Sequence, residues 1–217
     1  MKQLLFVALI GFISLACTKE RLTGNGDVVS EMRNVSGFTG IHSSGSNKIH
    51  VKYGTSFKVE LRGSSNLIPR FETRVRNNRL ELGYDNVWNV RRNDIEIFVT
   101  MPAISDVSLS GSGKVTIEGE FQPTNSFEAR ISGSGNVEVR DEFECDELSI
   151  NISGSGKARL ADLVSKSAHV TVSGSGDVWV TAMDHLKVRI SGSGDVYYRG
   201  NPVIDEKISG SGNLQRM

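Results

Sequence analysis

An all-β solenoid of stacked coils is the fold class this sequence predicts, on three observations. A Ser-Gly-Ser-Gly tetrapeptide occurs six times, apolar residues alternate with polar ones through every copy, and no stretch of ten residues carries a helical period. The copies begin at Ser110, Ser132, Ser153, Ser173, Ser191 and Ser209, so their spacings are 22, 21, 20, 18 and 18 residues. Units of this size cannot bury an apolar face alone, and stacking supplies the missing core.

The alternation assigns faces. Around the second copy, Phe127, Ala129, Ile131, Gly133, Gly135, Val137 and Val139 share one parity, and Glu128, Arg130, Ser132, Ser134, Asn136 and Glu138 share the other. Glycine therefore points inward and serine outward. A corner in an extended chain leaves no interior room for a side chain, which accounts for glycine there. Outward serines at equal heights are placed to form a hydroxyl ladder, with Asn or a charged residue at the next outward place. Ser44-Gly45-Ser46-Asn47 is a degenerate copy, with Asn as the residue that tolerates left-handed backbone next best after glycine. Arg62-Gly63-Ser64-Ser65 is a weaker one, and the gap from residue 62 to 110 leaves room for two further coils. About nine parallel coils result, a rod of roughly 40 Å at about 4.8 Å per coil. An antiparallel meander of hairpins is the structural alternative, since Ser-Gly also makes hairpin turns.

Between copies, Arg140-Asp141-Glu142, Ala182-Met183-Asp184 and Gly200-Asn201-Pro202 read as return corners. The 67–102 region is less regular. Its alternation changes parity across Asn77-Asn78, the mark of a turn, and residues 95–101 form a strand that Pro102 ends.

The N-terminus reads as an export signal: Lys2, an apolar run over residues 4–13, then Ser14-Leu15-Ala16 before Cys17. It resembles a bacterial lipoprotein signal, although Ser14 stands where Leu is usual, and it implies cleavage after residue 16 and lipid on Cys17. Cleavage near Ala16 that leaves an unmodified cysteine is the other reading. Residues 1–16 are thus assigned to the signal, 17–34 to a tether and 35–217 to the solenoid. With Cys17 lipidated, Cys145 has no disulfide partner and reads as apolar packing.

Charge excludes some classes. Lys and Arg total 25 and Asp and Glu total 25, so no nucleic-acid partner is indicated. His42, His50, His169 and His185 lack metal-ligand spacing, and no cofactor or metal is expected. Asp177 and Asp195, 18 residues apart, fall one above the other on adjacent coils, but the equivalent Lys114, Asn136, Lys157 and Asn213 argue against a calcium ladder. Trp179 and Tyr197 form the outward aromatic pair and, with those two aspartates, are the candidate ligand-binding residues.

The lipoprotein start, the strand ending Val99-Thr100-Met101-Pro102 and the train of Ser-Gly-Ser-Gly-Asn/Asp-Val units together resemble the auto-transporter adhesin head domain family, also called head GIN. The resemblance covers roughly residues 35–214. It implies a right-handed, pectin-lyase-type parallel β-helix without catalytic residues, and a role in adhesion. The expectation is a non-catalytic outer-membrane lipoprotein of the cell envelope that presents a Ser/Gly/Asn ladder to a glycan or extracellular protein. A carbohydrate-active β-helix enzyme and a purely structural envelope component are the alternatives.

Overall fold

The computed structural model describes residues 20–85 and 87–217. Alternating sequence becomes nineteen strands: β1 Glu20–Thr23, β2 Val28–Arg33, β3 Gly40–Gly45, β4 Lys48–Tyr53, β5 Lys58–Ser64, β6 Phe71–Arg76, β7 Arg79–Tyr84, β8 Val87–Arg91, β9 Glu96–Met101, β10 Asp106–Gly111, β11 Lys114–Glu118, β12 Thr124–Gly133, β13 Asn136–Val139, β14 Phe143–Gly154, β15 Lys157–Gly174, β16 Asp177–Gly192, β17 Val196–Arg199, β18 Val203–Gly210 and β19 Leu214–Arg216. A single 3-10 turn, Ile68–Arg70, is the one helical element among the described residues.

Two parallel stacks meet at the tetrapeptide corner. The strands entering it pair in the order β3, β10, β12, β14, β15, β16, β18, with Gly45, Gly111, Gly133, Gly154, Gly174, Gly192 and Gly210 in one column. The strands leaving it pair as β4, β11, β13, β15, β16, β17, β19. In the coils that follow Ser153 and Ser173 the return corner needs no loop, because β15 and β16 continue through it, and Ala182, read as corner, is fully buried; in the next coil the chain leaves strand at 200–202, between β17 and β18.

Each glycine of a pair has its own reason. Gly174 has φ +122°, a backbone region closed to side chains, and a Cβ there would strike the Gly154 carbonyl oxygen of the coil below. Gly176 faces the interior, where a Cβ would come within 2.6 Å of both the Gly156 oxygen and Ile152 Cγ2. Inward crowding alone therefore explains only the second glycine. The coil-to-coil bonds at the corner are backbone bonds, such as Ser134 N–H to the Gly111 oxygen at 3.0 Å and Ser155 N–H to the Gly133 oxygen at 2.9 Å. The serine hydroxyls stay exposed.

The count of nine coils is corrected. Six consecutive copies bound five turns, and the degenerate copy adds one layer when β3 and β4 lie on β10 and β11. The remaining residues before Asp106 do not wind. Arg62-Gly63-Ser64 ends β5, which runs antiparallel to β2 and β9. β6 and β7 form an antiparallel hairpin across Asn77 and Asn78, at φ 48° and 60°, the turn that their change of parity signals. β7 and β9 then lie parallel on β3 and β4 and close that end. Asn47 is also reinterpreted: its φ is not positive, and its buried amide donates to the Ile95 oxygen at 3.0 Å, tying the corner to that closing layer.

The boundary of the tether moves as well. Residues 20–33 supply β1, parallel to β8, and β2, which satisfies an edge of β5. Residues 1–16 and Cys17 lie outside the described residues.

The core is columnar. Ile41, Val107, Ala129, Ile150, Val170 and Val188 lie one above another and are all fully buried.

Candidate functional site

Two outward faces flank the corner, and the expected site residues occupy the one that follows it. In register, Lys157 meets Asp177, and Arg159, Trp179 and Tyr197 form a column. Strand spacing of about 4.8 Å sets the rest. The rings of Trp179 and Tyr197 stack with centroids 5.2 Å apart and planes 13° apart. On the opposite side of the indole, the Arg159 guanidinium lies 4.8 Å from its centre.

Both faces of Trp179 are thus occupied along the stack. A sugar ring has access to ring edges and not to an open indole face. The sequence signal for Arg159 was available, since it holds Trp179's place one coil earlier.

The aspartates are engaged too. Asp177 pairs with Lys157 Nζ at 2.7 Å, and its Oδ1 accepts from the Asp195 N–H at 3.4 Å. Asp195 Oδ1 accepts from the Asn213 N–H at 2.9 Å and from its side-chain amide at 3.2 Å. These carboxylates serve as rungs between coils. Burial in the stack, together with the Asp195 and Asp177 charges, raises the Tyr197 phenol above its ordinary value. The four residues are brought together, and their carboxylates are satisfied chiefly by Lys157 and Asn213.

The face that precedes the corner is different. His42, Ser108, Arg130, Asn151, Thr171, Arg189 and Lys207 form one outward column beside the exposed serines. Two shallow depressions of about 320 and 180 Å³ run along it and share Thr171 and Ser173. No carboxylate lines either one, and their polar side chains are mostly hydroxyl, amide or cationic donors, although Arg130 pairs with Glu128 at 2.5 Å and Arg189 with Asp205 at 2.7 Å beside them. Sequence reading missed this column, although its members stand two residues before the first serine of each copy.

Other reactive groups are withdrawn. Cys145 is buried, and burial, followed by the Asp146 charge, pushes its thiol up to about 12, which leaves it protonated. His169 has its imidazole pKa lowered by burial and by Lys187 and Arg189, while His50 stacks on Phe98 at 5.0 Å. Among the described residues no group of three His, Cys, Asp or Glu side chains is placed to hold a metal ion.

A family model described as "Putative auto-transporter adhesin, head GIN domain" matches residues 37–202. The chain belongs to the head GIN family. No curated protein is similar to it. Among solved structures, a putative adhesin from Bacteroides fragilis superposes with TM-score 0.72 at 21% identity, covering 90% of this chain and 100% of that one. A putative adhesin from Parabacteroides distasonis gives 0.64 at 18%, over 91% and 100%. A protein from the same species, titled a putative lipid binding protein, gives 0.59 at 23%, over 91% and 100%. At these identities the likeness of the head GIN chain to its neighbours is one of fold.

Proposed function

We propose that the protein is a non-catalytic adhesion module of the bacterial envelope, exported, anchored to the outer membrane through lipid on Cys17, and binding an extended glycan along the face that precedes the corner. The observation that carries this reading is the donor-rich column from Arg130 to Lys207 beside exposed serine hydroxyls, continuous across coils and without a carboxylate in its depressions. Regularly spaced donors suit a polymer with regularly spaced hydroxyls or carboxylates. Each contact is weak, and many copies on one membrane raise avidity by about 10² to 10⁴. Family membership and the adhesin names of the structural neighbours support the same reading. Hydrolysis of a glycan needs two carboxyl groups flanking one bond, and the aspartates at Asp177 and Asp195 are tied into the stack.

The test displays the domain densely on beads and scores adherence to a panel of bacterial and host glycans. Thr171→Glu, which puts a carboxylate where the two depressions meet, is expected to reduce adherence at least about tenfold, the loss of one charge-assisted contact. Loss in Trp179→Ala with full adherence in Thr171→Glu moves the site to the aromatic face. No adherence at any density favours a structural component, and cleavage products abolished by one Asp or Glu substitution overturn the non-catalytic reading.

A further inference from the structure

In two interior columns of the parallel stack, charge enters at the C-terminal coil. Above fully buried Val188 the column reaches Glu206, and above Val180 and Tyr198 it reaches Arg216. Both charges hold core positions by register, and both are exposed because no coil follows them among the described residues. Neither is in an ion pair there. β18 is bonded on its β16 side alone, and Val203 and Ile204 beside that edge are 70% and 40% exposed.

Eight residues of unpaired strand edge with apolar flanks make a template for another chain. At the opposite end the outermost strands β2 and β6 are each bonded on one side only and run antiparallel to their partners, whereas the β18 edge continues the parallel stack. We infer that Glu206 and Arg216, with the charged centre Asp205-Glu206-Lys207, block strand addition at this end and keep one chain from joining another.

The geometry of pairing gives the reason. Two copies of β18 joined about a two-fold axis normal to the sheet run antiparallel, keep inward residues inward, and oppose one residue to its own copy on the axis. With the axis at Asp205, Glu206 or Lys207, the self-opposed residue is a charge, and like charges directly opposite are destabilising. The registers centred on Glu206 and on Lys207 share the fullest overlap, and the first also sets two carboxylates together in the interior columns, where neither is solvated. A strand added in parallel meets the second obstacle alone, since Glu206 and Arg216 would be covered without partners. The inference is independent of what the donor-rich face binds.

Analytical ultracentrifugation of the purified chain over a range of concentrations tests it. Wild type is expected to keep the mass of one chain, and Glu206→Val combined with Arg216→Leu to reach at least twice that mass, with new protection of amides 203–210 in hydrogen exchange. Glu206→Lys retains a like-charge pair on the axis and should stay single. Three results overturn the proposal: a double variant with wild-type circular dichroism that stays single at every concentration, association without new protection at 203–210, and a wild-type dimer that Ile204→Lys separates.

Discussion

At Gly174 two demands coincide, a left-handed backbone and a carbonyl oxygen of the coil below that a Cβ would strike. Ser175 beside it is exposed, and only its backbone N–H is used, bonded to the Gly154 oxygen at 2.9 Å. Gly174→Val is therefore expected to lose about 3 kcal/mol or more, combining overpacking with an unfavourable φ. Ser175→Val should change stability by under about 0.5 kcal/mol. Urea melts of the two variants check this, and equal losses would mean that the parity of the corner is wrong. The same pair shows how much a residue pattern conveys. Parity alone told glycine from serine, but the reason at the first glycine is a contact between residues 20 apart, which no local window contains.

Strand to strand, outward charges are arranged so that each layer neutralises the next. Lys114 Nζ lies 2.6 Å from Glu138 Oε2 on the next coil, Arg140 reaches Glu118 at 2.9 Å, and Lys157 reaches Asp177 at 2.7 Å. The Lys114 hydrogen bond, with smaller help from the charges of Lys114, Arg140 and Arg159, holds the Glu138 carboxyl below its ordinary value near 4.5. A carboxyl lowered in the folded state adds stability that is complete above its unfolded value and lost as pH falls through the folded one. Lys114→Met should cost under about 1 kcal/mol at pH 7, since the pair is partly solvated. It should also make the urea midpoint less sensitive to acid below pH 4.5, and an unchanged pH profile would count against the pairing. The hairpin at Asn77-Asn78 was legible because its signal is local. β5 was not, since its degenerate tetrapeptide resembles a coil while its partners β2 and β9 lie about 30 residues away on either side.

For the molecule as a whole, the envelope assignment rests on the N-terminal segment. Cys17→Ser is expected to move the protein from the membrane fraction to the soluble one, read by fractionation and by loss of metabolic lipid label. Retention in the membrane fraction would remove the lipid anchor from the reading. A tether loses length because residues 20–33 belong to the folded body, where Leu22 is buried and β2 pairs along its whole length. That pairing could not be read from alternation, as Val28, Val29 and Met32 remain exposed even when paired.

By itself the sequence determined the class of fold, the phase of the six clean repeats and the glycines of their shared corner, because these follow from period two and from the steric uniqueness of glycine. Tertiary structure alone decided the number of turns, since antiparallel strands consume the residues that spacing would assign to coils. It also decided what each face offers: neighbouring layers cover both faces of the Trp179 indole, while the column from exposed Arg130 to exposed Lys207, half-buried between them, runs beside exposed serines. Composition along one coil is the same in both cases. What a side chain offers to a ligand depends on the coils above and below, and those are set by packing.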